Sequence, residues 1–295
     1  MIEKFELTKI QKLTISAFFI ALVIIFSKLL SIGNIPGVPF LRVSLGPTLL
    51  IFASLLLGPI YGGAIGFLSD LIGYFTLDRT GYPYNPLFSI TYILYGILPA
   101  ILVYILKYNK KFKLPIIQVI IFSILDIFIL YFILTTSEFK LYGKTYNVDL
   151  IMKIVVICVT FLFTILYFLI YFFLYKKFKT NKENLVLLNN ISIINFIVLF
   201  IVQLVIGVLI KLFTYDVDIL VLLATQIIVT IVEIFISNYI VILLYNASLK
   251  IFKTTTNIKL KKSQQLKQEK IDKLKSIIKE ELNDYKINKW LILYH

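Results

Sequence analysis

The amino-acid sequence predicts an all-α integral membrane protein, and three observations support this prediction. Of the 295 residues, 59% are hydrophobic and only 16% are charged, which leaves too little polar surface to cover a soluble globule of this size. The mean hydropathy over the whole chain is +0.92. Apolar stretches recur from one end to the other, so most of the chain is expected to lie in lipid. A water-soluble enzyme is therefore excluded.

Eight apolar stretches are candidates for membrane-spanning helices, because each approaches the roughly 20 residues that cross about 30 Å of hydrocarbon. They lie near residues 12–32, 45–60, 60–77, 87–107, 114–134, 150–175, 187–212 and 217–246. The second and third are the shortest, and they meet at Gly58-Pro59, which is typical of a tight turn between helices. The first stretch has no small-residue cleavage site, so no cleavable signal peptide is expected.

The distribution of basic residues predicts that both termini are cytoplasmic. Of the 30 lysines and arginines, 23 lie in the N-terminal segment, in the links after the fourth and sixth spans, and in the tail from Lys250 onward. The opposite links carry only five, namely Arg42, Arg79, Lys140, Lys144 and Lys211. By the positive-inside rule, this asymmetry indicates a multi-pass protein with an even number of crossings.

The C-terminal tail, residues 251–295, is predicted to be a basic cytoplasmic helix. Its apolar residues recur at spacings of three, four and seven, and lysines and glutamates fill the other face. A solvated helix, an anchor on the membrane surface and a contact with a cytoplasmic partner all fit this pattern.

The composition also excludes several kinds of chemistry. Cys158 is the only cysteine, and the only histidine is the last residue, His295. An intramolecular disulfide, haem, multi-cysteine metal sites and catalysis by Ser-His-Asp or Cys-His are thereby excluded, and we expect no metal and no cofactor. The net charge of +14 is assigned to the cytoplasmic lysines and not to nucleic-acid binding. No G-x-x-x-x-G-K-[ST] phosphate loop is present, so energy for transport must come from a partner or an ion gradient.

Small residues at helical intervals predict close helix packing in the first third of the chain. Ala17 and Ala21 form such a pair in the first span. In the third span, Gly62, Gly66 and Gly73 lie along one stripe. Stripes of this kind let helix backbones approach closely within lipid.

Three acidic residues are expected at membrane depth, where an ionisable group costs a few kcal/mol and so needs a reason. They are Asp70, Asp126 and Glu233. Asp70 is the most informative, since it lies in the glycine-rich third span close to the outer loop. It is expected either to accept hydrogen bonds from a ligand or to bond a facing helix.

The outer loops have the composition of a small-molecule site. Residues 32–47 contain three glycines, three prolines and Arg42, and residues 78–88 contain Arg79 and several aromatic rings. Arg42 is expected to pair with a carboxylate, and Tyr82, Tyr84 or Phe88 to stack on a heteroaromatic ring. Such loops suit a planar, anionic, hydrogen-bonding solute. An aromatic belt at the membrane interface with a solvated arginine is the alternative.

These residues carry a resemblance to a known family. The run from Arg42 through Gly58-Pro59-Ile60-Tyr61-Gly62-Gly63 to Asp70-Leu71-Ile72-Gly73-Tyr74, followed by Gly81-Tyr82-Pro83-Tyr84-Asn85-Pro86-Leu87-Phe88, resembles the substrate-binding S components of energy-coupling factor (ECF) vitamin transporters. The likeness is greatest to the folate-specific branch and covers about residues 13–105. Ala17 and Ala21 fall where that family carries its Ala-x-x-x-Ala docking motif.

The resemblance implies both a function and a set of site residues. The function is capture of a vitamin, here folate, in a bacterial cell membrane. Delivery would depend on a transmembrane coupling protein and two ABC-type ATPases as partners. The substrate-binding residues would be Arg42, Asp70, Tyr74, Arg79, Tyr84, Asn85 and Phe88. Among these, Arg42 would bind carboxylates, and Asp70 or Asn85 would bind ring nitrogens. Lys211 or Gln203 is the candidate to replace the family's basic residue in its final span.

The resemblance also implies a domain organisation, because such S components have six spans. Residues 1–113 would form the N-terminal four-span half, 114–183 an inserted transmembrane hairpin, 184–250 the last two core spans, and 251–295 the cytoplasmic tail.

Three alternatives remain open from the sequence. The ligand could be another vitamin, such as riboflavin, thiamine or a queuosine precursor. The protein could be a gradient-driven carrier that uses Asp70, Asp126 and Glu233 as proton or sodium sites. It could also be a membrane scaffold whose basic tail recruits a cytoplasmic partner.

Overall fold

The computed structural model describes residues 7–31, 43–77, 83–108, 114–141, 144–179, 182–214 and 217–251. Its contacts divide the chain into a main unit, residues 1–244, and a C-terminal unit, residues 245–295. Of the second unit, the structure describes residues 245–251, which are the last residues of the final helix. The remainder of the predicted tail helix, 252–295, lies outside the described residues.

Helices dominate the described part of the chain. In order, the elements are α1 (Lys9–Ile24), the π-helical segment π1 (Ile25–Leu29), α2 (Gly46–Leu57), α3 (Pro59–Leu77), α4 (Pro86–Tyr108), α5 (Leu114–Thr135), β1 (Glu138–Leu141), β2 (Lys144–Asn147), α6 (Leu150–Phe178), α7 (Lys182–Leu199), the π-helical segment π2 (Phe200–Ile206), α8 (Gly207–Thr214) and α9 (Ile219–Ile251).

Among the described residues, seven helical stretches are long and apolar enough to cross a membrane. This confirms the prediction of an all-α integral membrane protein. One predicted stretch differs, because α2 has only 12 residues and is about 18 Å long, well short of the hydrocarbon thickness. Nearly all of its residues are buried, so it is an internal helix of the bundle. The predicted outer residue Lys211 lies within the span Leu185–Thr214.

Glycine and proline explain the boundaries around α2. Gly58 has a φ of 92°, which strongly favours glycine, and Pro59 begins α3 immediately afterwards. Pro99 lies inside α4, where proline interrupts the backbone hydrogen bonds of a helix. The neighbouring N–H of Ala100 donates to the Ser54 hydroxyl of α2 at 3.2 Å. The backbone next to Pro99 in α4 is thus hydrogen-bonded to the short helix α2.

Helices α3 and α4 pack backbone against backbone. A Cβ atom added at Gly62 would collide with the carbonyl oxygen of Gly96, and one added at Gly66 would collide with that of Tyr92. At Gly73 an added Cβ would lie 3.4 Å from the nearest side-chain carbon, an ordinary contact. A side chain therefore cannot be accommodated at Gly62 or Gly66 without a shift of the backbone, whereas it can be accommodated at Gly73.

Helices α5 and α6 pack through large side chains. The ring of Phe122 lies 5.2 Å from that of Tyr167 and 5.6 Å from that of Phe168, centroid to centroid. In the same pair, the Thr164 hydroxyl donates to the Asp126 carboxylate at 3.3 Å. Both helices also contact α7.

A short antiparallel hairpin joins α5 to α6. Strands β1 and β2 pair in register, with Glu138 opposite Asn147 and Leu141 opposite Lys144. The backbone N–H of Val148 donates to the carbonyl of Ser137 at 2.8 Å, which continues the pairing beyond the strands. These two strands were not predicted from the sequence.

Candidate functional site

The adjoining ends of α3 and α4 bring together three of the predicted site residues. Asp70 is buried, and its carboxylate accepts a hydrogen bond of 2.5 Å from the hydroxyl of Ser89. The Tyr84 hydroxyl bonds the same serine. The Tyr84 ring lies 5.1 Å from the ring of Tyr74, centroid to centroid. This end of the bundle therefore combines a buried carboxylate with an aromatic surface, a combination that suits a flat heterocycle.

Asn85 links the start of α4 to the end of α8. Its side-chain oxygen accepts from the backbone N–H of Leu87 at 3.0 Å, which satisfies an amide in the first turn of the helix. Its side-chain nitrogen donates to the hydroxyl of Thr214 at 3.0 Å. Phe88 lies in the same first turn, and its backbone N–H donates to the Asn85 carbonyl at 3.1 Å. Asn85 therefore has a structural role in addition to its predicted ligand contact.

Arg42, Arg79 and Tyr82 lie outside the described residues. The predicted pairing of Arg42 with a carboxylate and the predicted contribution of Arg79 stay predictions. The same holds for the outer loop segments 32–42 and 78–82, which the sequence analysis expects to border the ligand.

Ala17 and Ala21 lie on an exposed strip of α1. Both residues are exposed, and so are the large side chains of Leu13 and Phe18 beside them, at 69% and 62%. The opposite face of α1 is buried through Phe19 and its neighbours. A strip of small residues on an exposed helix face allows a second helix to approach closely.

A buried polar cluster between α2, α4, α8, π2 and α9 is the main feature that sequence reasoning missed as a unit. Its centre is Glu233 of α9, which is 5% exposed and accepts a hydrogen bond of 2.9 Å from the backbone N–H of Ser44. The Gln203 side chain of π2 lies beside the Glu233 carboxyl group. The Gln203 side-chain oxygen accepts from the Tyr95 hydroxyl at 3.4 Å.

Lys211 completes this cluster. It donates to the side-chain oxygen of Gln226 and has a favourable electrostatic interaction with Glu233. The second carboxylate oxygen of Glu233, Oε2, is buried and has no hydrogen-bond partner in the part of the chain that the structure describes. The sequence marked Glu233, Gln203 and Lys211 individually, but no periodicity could show that they meet. The contact between Ser44 and Glu233 joins residues 189 positions apart.

One small cavity lies elsewhere, where α5, α6 and α9 meet. It has a volume of about 60 Å³, and its lining includes Phe132, Met152 and Val221. This is too small for a vitamin, since drug-sized ligands occupy clefts of about 300 Å³ or more.

The described residues give no support to a metal centre. Among them, no group of three or more His, Cys, Asp or Glu side chains is placed to hold a metal ion. Cys158, the only thiol, is exposed on α6.

Comparison with known proteins adds one finding to this geometry. A model of the family described as "ECF-type riboflavin transporter, S component" matches residues 7–167. Searches of curated proteins and of solved structures found no significant match. The family match covers more than half of the chain and runs from α1 into α6. It confirms the predicted S component of an ECF transporter, whereas the folate branch stays a prediction. This chain belongs to the family of ECF-type riboflavin transporter S components.

Proposed function

We propose that this protein is the substrate-capture subunit of an ATP-driven vitamin importer. The observation that carries the proposal is the family match over residues 7–167, since an S component binds substrate and is not an enzyme. The partners would be a transmembrane coupling protein and two ABC-type ATPases. The absence of a phosphate-loop motif from the chain agrees with energy supplied by another subunit.

Riboflavin is the first candidate ligand, because the matching family is described by that vitamin. Its flat ring would suit the aromatic surface of Tyr74 and Tyr84. The buried carboxylate of Asp70 lies beside that surface. Folate is the second candidate, favoured by the sequence resemblance and by Arg42 and Arg79, which would pair with its carboxylates. Both vitamins combine a planar ring system with ring N–H groups.

The exposed strip at Ala17 and Ala21 is proposed as the surface that docks the coupling protein. Its small side chains would permit close contact that is also easily repacked during transport. The flanking Leu13 and Phe18 side chains would add apolar contact area on either side.

The domain organisation is proposed as a six-helix core with an appended hairpin. Helices α5 and α6 contact each other and α7. The α7 span in turn contacts α4, and Glu233 of α9 bonds Ser44 at the start of α2. These contacts support the last two spans as part of the core with α1–α4, while the family match, which extends to residue 167, also includes most of the hairpin 114–183. Both termini are proposed to be cytoplasmic in a bacterial cell membrane.

The gradient-driven alternative is less well supported. Asp70 and Asp126 each accept a hydrogen bond from a hydroxyl on the paired helix, which is the arrangement of a structural contact. Glu233 is the remaining candidate for an ion site, and Lys211 already contributes a positive charge beside it.

Uptake by reconstituted vesicles separates these functions. The purified chain would be placed in vesicles with and without a coupling protein and its ATPases, and labelled riboflavin and folate would be added outside. We expect uptake only in the presence of both the partners and ATP. Uptake by the chain alone, driven by a sodium or proton gradient, would contradict the proposal.

A further inference from the structure

We propose that the cavity between α5, α6 and α9 holds part of an acyl chain of an anionic phospholipid whose phosphate pairs with the Lys153 side chain. None of the residues that line this cavity belongs to the proposed vitamin site. The inference therefore does not depend on the proposed function. A lipid bound here would join the α5–α6 pair to the last span of the chain.

The first step is the lining of the cavity. The cavity measures about 60 Å³, and the protein surface that faces it is apolar. Around it, the half-buried side chains of Phe132, Val148 and Met152 pack against the buried Val221 of α9. An apolar cavity of this kind stays dry, because water would find no polar partner inside it. A short stretch of hydrocarbon is therefore the occupant that its chemistry suits.

The second step is access from the membrane. Most of the lining side chains are only half-buried, among them Met152 and Val156 of α6 and Ile228 of α9. Beside the first two, Ile151 and Val155 are exposed at 76% and 53%, so the rim of the cavity adjoins a face of α6 that is open to lipid. An acyl chain that enters from this side would supply the dispersion contacts that the lining lacks.

The third step is the charge at the cavity. Lys153 lies one turn into α6 and lines the cavity, and no described residue forms an ion pair or a side-chain hydrogen bond with its ammonium group. The Asp218 carboxylate at the start of α9 instead accepts the backbone N–H of Leu220 at 2.9 Å. A lysine near the end of a span reaches the depth of the lipid phosphates. Because an acyl chain gains no hydrophobic energy by leaving other lipids, this charge would decide which lipid binds.

The test compares phosphatidylglycerol with the uncharged diacylglycerol that carries the same acyl chains. The full chain would be freed of lipid in detergent, and binding of each compound would be measured by native mass spectrometry. We expect one phosphatidylglycerol to bind about fivefold more tightly than diacylglycerol, as for one lysine near an anionic headgroup. Lys153→Gln should abolish this preference, and Lys153→Arg should retain it. Lys177→Gln is the matched control at an exposed lysine in the last turn of α6, and it should keep the preference.

A second variant tests the cavity itself. Ala224→Leu adds bulk at a buried lining position and should weaken binding of both lipids by a similar factor, with Lys153 unchanged. If thermal unfolding shows that this variant is not folded, Val156→Leu at the half-buried rim takes its place. Inorganic phosphate should not compete with phosphatidylglycerol. Equal binding of the two lipids by wild type, equal losses in Lys153→Gln and Lys177→Gln, unchanged binding by the folded cavity variant, or competition by phosphate would each overturn the lipid site. The proposed function would stand in all four cases.

Discussion

The helix pairs α3–α4 and α5–α6 solve the same packing problem in different ways. In α3–α4, glycines at Gly62, Gly66 and Gly96 bring the two backbones into contact. In α5–α6, rings such as Phe122 and Tyr167 fill the space between helices that stay further apart. Backbone contact leaves no room for an added atom, whereas packed side chains can adjust. The difference teaches that the α3–α4 pair tolerates little change, as expected for the part of the chain that positions the proposed ligand residues.

The two helix pairs also share one type of polar contact. Each buries an aspartate that accepts a hydroxyl hydrogen bond across the helix interface, at 2.5 Å for Asp70 and 3.3 Å for Asp126. Only Asp70 lies beside the tyrosine rings of the proposed site, because Ser89 also bonds Tyr84. We therefore expect substitutions in α1–α4 to affect function and matched substitutions in α5–α6 to be mild.

The largest expected effect is loss of folding from an added side chain at the α3–α4 contact. Gly62→Ala should lower the free energy of unfolding by about 3 kcal/mol or more, the upper part of the range for overpacking, because the new methyl meets a backbone carbonyl. Thermal unfolding in detergent measures this. Gly73→Ala is the matched control, and it should change stability by less than about 1 kcal/mol. Equal losses in the two variants would contradict the packing account.

The next effect concerns assembly. Ala17→Trp should abolish uptake and co-purification with the coupling protein and ATPases while leaving vitamin binding unchanged, because the bulky ring blocks the exposed strip. The control is Ile127→Trp on α5, where Ile127 is likewise exposed, at 64%. Normal co-purification of Ala17→Trp would show that the partner docks elsewhere.

A third effect concerns ligand charge. Arg42→Ala should weaken folate binding by about 1.5 to 3 kcal/mol if folate is the ligand, since the arginine would make a charge-assisted pair with a carboxylate. Calorimetry on the isolated chain measures the change. Lys140→Ala is the control. It removes a cation from strand β1, between α5 and α6, and the variant should bind folate as wild type does. An unchanged dissociation constant for Arg42→Ala would remove that residue from the site.

The smallest effect sharpens the comparison of the two aspartates. Asp70→Asn should cost about 1 to 2 kcal/mol of unfolding free energy, because a short hydrogen bond loses its charged acceptor. Asp126→Asn should cost less than about 1 kcal/mol, since its bond is longer. Uptake should survive Asp126→Asn, and its complete loss would instead favour a gradient-driven carrier.

Much of the fold could be predicted from the sequence because lipid imposes a simple rule on helix length and hydropathy. The seven membrane-length helices of the described residues and the restrictive contacts of Gly62 and Gly66 follow from local patterns. The stretch 45–60 was recognised as short but was wrongly predicted to span the membrane, because its composition matches a span and only its burial distinguishes it. The partner of Gly62, which is Gly96, lies on another helix and forms no stripe of its own.

The candidate site was only partly predictable for a related reason. Asp70, Tyr74 and Tyr84 share a continuous stretch of chain, so their proximity could be expected. The cluster around Glu233 depends on contacts between residues far apart in sequence and on the π-helical turn that carries Gln203. Neither hydropathy nor charge placement shows which helices contact each other or where a helix contains a π-helical turn.

The central claim is that the chain captures a flat vitamin without help from its partners. Titration of the purified full-length protein with riboflavin and with folate, followed by calorimetry, tests it most directly. We expect saturable binding of one of these vitamins with a single site per chain. Thermal unfolding would first show that the purified protein is folded. If neither ligand then produces a binding heat, the claim is contradicted.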